Sequence, residues 1–522
     1  MPDNDRRHLA LRAMGLGLAL LFAVNVAPRF GHFSGDALIH LSIAERAAAG
    51  GWFEFNPGEV SSGSTSFGWT LLESSLISLG GMGLVTRVVP LVDLLALLAC
   101  GLLVRHLAAR TGASKPAANL AALTFVAIPA VTYNALLGME NIVHALAALG
   151  AIAVYARPPS PGRDALLGAL IGAGASLRPE GVLLGALPLL DVLRAEDRPR
   201  ALRSLALSAI VALAVFAPSV WIHHRFTGHL VPGSGVSRLM AVRRERTSLH
   251  LAGPLWLYLG AALRFVVYAP VTLLAASGAR AHAEDRGARR IRDACLALFA
   301  LGLALYTVGT GAAHVGRLTQ WLFALLAVLL ARGIDRALAW SSGARWRPAA
   351  LLAMAGFHGV LCAGESFARL RDVTQRHGGV DREWILRRVA ERRDATDRAL
   401  RTLCSGGCCA QGATPSIAMV EVQLRFDYDA RLRIVSLDGR TASARGADAP
   451  RFDGRACPDL EAALTAPSIV GVMEPPLAQF APCREVSATA RALTDAWGDA
   501  ARAPRGWRWA QELPGWVRVC AR

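Results

Sequence analysis

The sequence predicts an all-α polytopic membrane domain followed by a smaller, water-exposed α/β domain. Three observations predict it. The chain is 53% hydrophobic with a mean hydropathy of +0.37. Charged residues make up only 18% of it, against about 25% in soluble domains. They gather in clumps between apolar stretches of roughly 15–23 residues, the length that crosses a hydrocarbon core. Beyond residue 365 the composition turns charged, with short β-like runs.

The net charge of +17 comes almost wholly from arginine, with Lys115 the single lysine. Most of these arginines sit in short loops between apolar runs, which is the positive-inside pattern of a membrane protein. A nucleic-acid partner is therefore not expected.

The elements follow in order. Arg6, Arg7 and Arg12 precede an apolar run from Ala13 to Ala27. No small-residue cleavage site follows clearly, so this run reads as an anchor rather than a signal peptide. Basic loops then mark the inner side: Arg105, Arg110 and Lys115; Arg157 and Arg163; Arg194, Arg198, Arg200 and Arg203; Arg280 through Arg292; Arg332 through Arg347. The alternation gives about eleven transmembrane helices, with the N-terminus inside and the C-terminus outside. It closes only if Phe67–Gly83, weakened by Glu73 and several Ser and Gly, lies along the outer interface. Arg178, Pro179 and Glu180 stand at the joint of two short helices. The last span reads as Ala349–Gly364.

Residues 1–365 thus form the membrane domain and 366–522 an extracytoplasmic domain. Ile417–Leu424 and Arg433–Leu437 are its clearest β-like runs. Six of the nine cysteines lie there: Cys404, Cys408, Cys409, Cys457, Cys483 and Cys520. An even set outside the cytoplasm suggests disulfides. A metal at Cys404, Cys408 and Cys409 is the other reading, disfavoured because no His accompanies the cluster. Cys100, Cys295 and Cys362 fall within spans.

The first outer loop carries the chemistry. It runs from Phe33-Ser-Gly-Asp36-Ala-Leu-Ile-His40-Leu through Glu45, then Phe55-Asn-Pro-Gly-Glu59, then Ser62-Gly-Ser64-Thr65-Ser66 and Trp69-Thr-Leu-Leu72. The helix after Asp36 puts Ile39, Ile43 and Ala47 on one face, which would lie on the membrane. Asp36 then reads either as an N-cap or as a general base taking a proton from a sugar hydroxyl.

This loop resembles the first periplasmic loop of GT-C glycosyltransferases that use polyprenyl-phosphate sugars. The matching stretches are Gly35-Asp36-Ala-Leu-Ile39, Phe55-Asn-Pro-Gly-Glu59 and Ser62-Gly-Ser-Thr-Ser-Phe-Gly-Trp-Thr-Leu-Leu72, in the family's order. Further matches are Gly138-Met139-Glu140, Leu177-Arg-Pro-Glu-Gly181, Arg225 to Pro232, and His314 to Arg317. The segment at Arg225 lacks the family's Tyr and is one residue shorter. The resemblance is strongest to the arabinofuranosyltransferase-like and mannosyltransferase-like branch. It covers residues 1 to about 365, and the outer domain only through Ala418–Glu421 and Ile434–Gly439.

The resemblance implies transfer of a sugar, with inversion, from a polyprenyl-phosphate donor to a cell-envelope glycan or lipid-linked acceptor at the outer face of the cytoplasmic membrane. It implies Asp36 as the base. His314, Arg317 and Arg178 become candidates for the donor phosphate. Arg243 and Arg244 join them because their loop is basic on the outer side, and guanidinium matches phosphate oxygens. His40, Glu45, Glu140, Glu180, Ser64 and Thr65 become substrate-binding candidates.

Each residue also has a plain structural reading. Glu140 would cap the next helix, Arg178 and Glu180 would fix a turn, His314 would sit satisfied at the interface, and Arg317 would snorkel. One departure bears on cofactors. Gly35 stands where the family has the first of two acidic residues, which counts against a divalent cation without deciding it, since hard cations want several oxygens. Two other classes share the same spans: a flippase of lipid-linked substrates, for which inverted repeats are expected and none is seen, and a non-catalytic envelope scaffold.

Overall fold

The structure, a computed structural model, describes residues 3–61, 64, 66–228, 230, 268–281, 285–309, 319–341, 347–374, 380–404, 409, 415–419, 428, 431–436, 464, 469–472, 488–505, 507–510 and 515–518. Among the described residues, thirteen α-helices build the first part. They are α1 (Asp3–Val26), α2 (Gly35–Ala48), α3 (Phe67–Arg110), α4 (Lys115–Ala127), α5 (Pro129–Ala135), α6 (Asn141–Tyr155), α7 (Pro161–Leu177), α8 (Ala186–Arg194), α9 (Arg198–Thr227), α10 (Ala269–Ala279), α11 (Arg286–Gly309), α12 (Gln320–Ser341) and α13 (Arg347–Thr374).

Two of the described helices, α3 and α9, are long and apolar enough to cross a membrane; α4 with α5, bent by 59°, would make a third. Arg12–Val26, α6 and α10 are shorter apolar helices. The count of about eleven spans rests on loop charge and goes beyond these. Helix α3 breaks at Gly80 and Gly81, where the backbone leaves helical geometry. An arm of only fourteen residues, 67–80, precedes the break; at about 1.5 Å per residue it is too short to span. The break therefore falls inside the segment that charge counting assigned to the interface.

Helix α12 is buried from Gln320 to Ile334, apart from Arg332, and forms the centre of the main apolar core with α3, α4, α6 and α10. Gly278 of α10 abuts the Leu329 carbonyl of α12, and Gly333 of α12 abuts the backbone of Leu274. Neither site has room for a Cβ, so the two glycines let the helix backbones touch, as small residues do in membrane bundles.

The C-terminal part, called the outer domain for the side on which loop charge would put it, opens with the long helix α14 (Arg382–Cys404), beside a five-stranded sheet. Strands β5 (Ser416–Met419), β6 (Arg433–Ser436), β7 (Ile469–Val472), β8 (Trp507–Ala510) and β9 (Gly515–Arg518) run in the order β6-β5-β7-β9-β8. β5 pairs parallel with β6 and β7, and β9 antiparallel with β7 and β8. The described C-terminal residues thus combine helix with a mixed sheet. Cys404 and Cys409 are joined by a disulfide with Cα atoms 5.1 Å apart. Cys408, Cys457, Cys483 and Cys520 lie outside the described residues. Cys100, Cys295 and Cys362 are free and buried.

The first loop joins the two parts. β1 (His32–Phe33) pairs antiparallel with β4 (Val380–Asp381), just before α14. Burial holds His32 below the ordinary imidazole range, and Asp381 opposite it pulls part of the way back. β2 (Glu54–Asn56) and β3 (Glu59–Val60) form a small hairpin around Pro57-Gly58. Asn56 binds both backbone groups of Ile434 on β6, donating to the carbonyl at 2.8 Å and accepting from the amide at 3.0 Å. Glu59 pairs with Arg433.

Helix α2 corrects one expectation. Ile39 and Ile43 do not lie on the membrane. They pack with Phe55 against Ala399, Leu403, Ile417 and Ile434 of the outer domain. The opposite face, through Ala37, Leu38 and Leu41, packs on Trp69 and Val85 of α3. The apolar period is real, but its cover is protein rather than lipid.

Candidate functional site

Three elements converge at one buried group. Residues 136–140 make a turn between α5 and α6, with Gly138 in the left-handed region at φ +71°. Glu140 follows it at the start of α6. Helix α7 ends at Arg178, whose backbone is extended, and a 3-10 turn, Pro179–Gly185, carries Glu180. Pro179 disfavours helical geometry at the residue before it, which ends α7 there.

Arg178 is the hub. Its Nη1 donates to Glu140 Oε1 and to Asn141 Oδ1, both at 2.6 Å. Its Nε and Nη2 donate to the two oxygens of Glu180 at 3.3 and 3.1 Å. Arg178 is 8% exposed and Glu140 1%. A guanidinium forked between two carboxylates satisfies its donors and holds both acids in fixed orientation. Glu140 does not cap α6, since its side chain makes no capping bond. Arg178 and Glu180 do pair within the turn, as the structural reading expects, but Arg178 also reaches a different helix.

Asp36 enters from the first loop. It lies in the first turn of α2 and is partly buried. The cap of α2 is Ser34, whose hydroxyl accepts from the Ala37 amide at 3.2 Å. Capping therefore does not account for Asp36. The Ser34 amide donates to the Leu137 carbonyl at 3.0 Å, which ties the segment just before Asp36 to the turn just before Glu140. The Phe33 ring packs on Gly138 where a Cβ would stand. Asp93 of α3 accepts from the Gly138 amide at 3.1 Å, and the Trp69 indole donates to the Gly138 carbonyl at 3.4 Å. The turn is thus clamped from two sides.

The other expected residues fall into three groups. Ser64 and Thr70 share a hydrogen bond at 2.8 Å, and His40 Nδ1 lies 3.4 Å from the Thr70 hydroxyl. His40 is buried. Glu45 meets Arg392 of α14, with both carboxylate oxygens within 2.8 Å of its Nη1. Both residues, named above as substrate-binding candidates, have partners inside the protein. Thr65, Arg243, Arg244, His314 and Arg317 lie outside the described residues.

Several residues that sequence reasoning passed over also line this region. Asn141 and His144 follow Glu140 on α6, and His144 meets Trp321 edge-on with ring centroids 5.9 Å apart. Trp321 donates to the Tyr306 hydroxyl at 2.8 Å. Glu73 and Asp93 are fully buried on α3, within electrostatic reach of Glu140. The available signal was polarity inside otherwise apolar spans, which by default points to function. Among the described residues no three His, Cys, Asp or Glu side chains converge as a metal-binding group.

No family model matches the chain, and no curated protein matches it. Solved structures do. ArnT from Cupriavidus metallidurans, crystallised with undecaprenyl phosphate, gives a TM-score of 0.52 at 14% identity, over 81% of this chain and 85% of that one. The Archaeoglobus fulgidus oligosaccharyltransferase, crystallised with Zn and sulfate, gives 0.52 at 12% identity, over 92% of this chain and 71% of that one. Both superpositions run across the membrane part and into the outer part. The chain has the GT-C fold. At such low identity the likeness carries the architecture alone, so roles within this GT-C chain must come from its own residues.

Proposed function

We propose that this chain is an integral membrane glycosyltransferase. It moves a sugar from a polyprenyl-phosphate donor to a hydroxyl of a cell-envelope glycan or lipid acceptor at the outer face of the cytoplasmic membrane. The observation that carries the proposal is the convergence of Glu140, Arg178 and Glu180 beside the loop of Asp36, on a GT-C fold. Charged groups buried among apolar helices are costly and are kept where a site needs them.

The reaction is a single displacement. Asp36 takes the proton of the acceptor hydroxyl as its oxygen bonds to the anomeric carbon. The bond from that carbon to the phosphate oxygen breaks, the electron pair leaves with the lipid phosphate, and the configuration inverts. The leaving phosphate gains negative charge, which Arg243, Arg244, Arg317 and His314 are proposed to meet. Glu140, Asn141 and Glu180 engage four of the five N–H donors of Arg178, so it serves as the frame of the site rather than as a phosphate ligand. Glu140 and Glu180 then act on substrate hydroxyls with the oxygen edges that Arg178 leaves open. The arabinofuranosyl- or mannosyl-transferring branch is the preferred assignment, on the loop motifs.

The test uses purified protein with undecaprenyl-phosphate-linked arabinofuranose and mannose, reading released undecaprenyl phosphate. Asp36→Asn should lower turnover by about 10²–10⁴-fold while donor binding persists. Undiminished turnover in that variant removes Asp36 as the base, and indifference of envelope assembly to it would instead fit a scaffold.

A further inference from the structure

Beside the Arg178 hub, three buried polar atoms have nothing to bind. Glu140 Oε2, Asn141 Nδ2 and His144 Nε2 are buried and make no hydrogen bond; their residues are 1%, 3% and 1% exposed. All three residues lie on the first turn of α6. Their orientation is fixed from behind. Arg178 holds the other oxygen of Glu140 and the amide oxygen of Asn141, so the Asn141 amide group must direct its donors elsewhere. His144 is held by Trp321 on its edge, with Nδ1 toward Gly174 of α7. Buried polar groups in folded proteins are nearly always paired, and each one left alone costs free energy. Three on a single helical turn, each locked by a neighbour, call for a ligand that supplies the missing partners.

The set is a carboxylate oxygen that accepts, an amide nitrogen that donates, and an imidazole nitrogen that does either. A phosphate would be repelled by Glu140 and offers no donor when ionised. A polyol fits, because every hydroxyl both donates and accepts. We propose that Glu140 Oε2, Asn141 and His144 form a saccharide subsite that reads the hydroxyl groups of the donor's sugar, within the transfer reaction proposed above and resting on it. Sites that hydrogen-bond a substrate hydroxyl reject analogues lacking it far more strongly than apolar pockets reject a missing methylene. This turn would therefore set which sugar is accepted.

The test separates the subsite from the reaction. The probes are undecaprenyl phosphate and undecaprenyl-phosphate-linked arabinofuranose and mannose, added to the full-length protein in detergent. His144→Phe keeps an aromatic ring and removes both nitrogens. Asn141→Asp keeps the oxygen that Arg178 uses and removes the amide donor. His144→Phe keeps the ring that packs on Trp321 and should melt near the wild-type temperature. In wild type a sugar-bearing lipid should raise the melting temperature more than the bare lipid does, and each variant should lose that difference. Each should also lower kcat/KM by about ten- to a hundredfold. Sugar-dependent protection that both variants abolish supports the subsite even if no transfer is seen, in which case the proposed reaction is what fails. Equal protection of wild type by bare and sugar-bearing lipid overturns the subsite, as does a His144→Phe protein that keeps the sugar-dependent shift.

Discussion

Arg178 shows how one side chain organises the site. Its guanidinium holds Glu140, Asn141 and Glu180 at 2.6–3.3 Å, and all of these are buried or nearly so. Removing it strands two carboxylates in a low-dielectric interior. Breaking a buried pair by deleting one partner costs about 3–5 kcal/mol, so Arg178→Met should express poorly and melt far below wild type. Arg178→Lys keeps the charge but not the fork, since an ammonium cannot serve two carboxylates and an amide in one plane. It should fold while losing turnover. A Glu180→Gln, Arg178→Met double variant should be less destabilised than the sum of its parts, because one of the two stranded charges is gone; thermal melts of the four proteins check this. Arg178 and Glu180 were legible in the sequence because ionisable residues beside a proline interrupt an apolar run. Asn141, His144 and Asp93 were not. One polar residue per turn within a span-length apolar segment reads as helix interior until the neighbouring helices show what it faces.

At the scale of elements, the Gly138 turn couples the first loop to the Arg178 hub. Asp93 and Trp69 of α3 hold its amide and carbonyl, Phe33 fills the space beside its Cα, and Ser34 bonds to Leu137. Gly138→Ala meets two obstacles, the left-handed φ of +71° and the Phe33 ring. Backbone strain of about 1–2 kcal/mol joins an overpacking cost of about 1–3 kcal/mol. Loss of turnover should exceed what the lower melting temperature explains, because the shift displaces both Asp36 and Glu140. Gly138→Ala combined with Phe33→Leu should recover melting temperature in part by giving the methyl group room. The Gly-Met-Glu motif was visible in the sequence, but its function as a clamp point was not, since its partners lie 45 and 69 residues away on α3. Helix α2 teaches the complementary limit. Periodicity revealed the Ile39 and Ile43 face correctly, and periodicity alone does not say whether lipid or protein covers it.

Across the whole molecule, the first loop is held between two folded parts. On one side α2 packs on α3; on the other, β1 pairs with β4, Asn56 completes the edge of β6, and Glu45 meets Arg392. The Phe-Asn-Pro-Gly-Glu hairpin is therefore a docking element for the outer domain, and Asp36 sits between its two anchor points. Asn56 is 4% exposed, so Asn56→Ala uncovers the amide and carbonyl of Ile434 without water to replace it. Each unpaired group costs about 1–3 kcal/mol. Glu45→Gln touches a partly exposed pair, where an ion pair contributes about 0–1 kcal/mol, and should change little alone. Asn56→Ala should thus open the interface where Glu45→Gln does not. Hydrogen exchange of Ile434 and of the α14 amides should quicken in Asn56→Ala while the amides of α3 and α12 keep their protection. If the outer domain only tethers an acceptor, the variant should raise the KM for acceptor and leave kcat alone. Docking that also fixes the Asp36 loop predicts a fall in kcat at saturating acceptor, and the two anchors flanking Asp36 favour that second outcome.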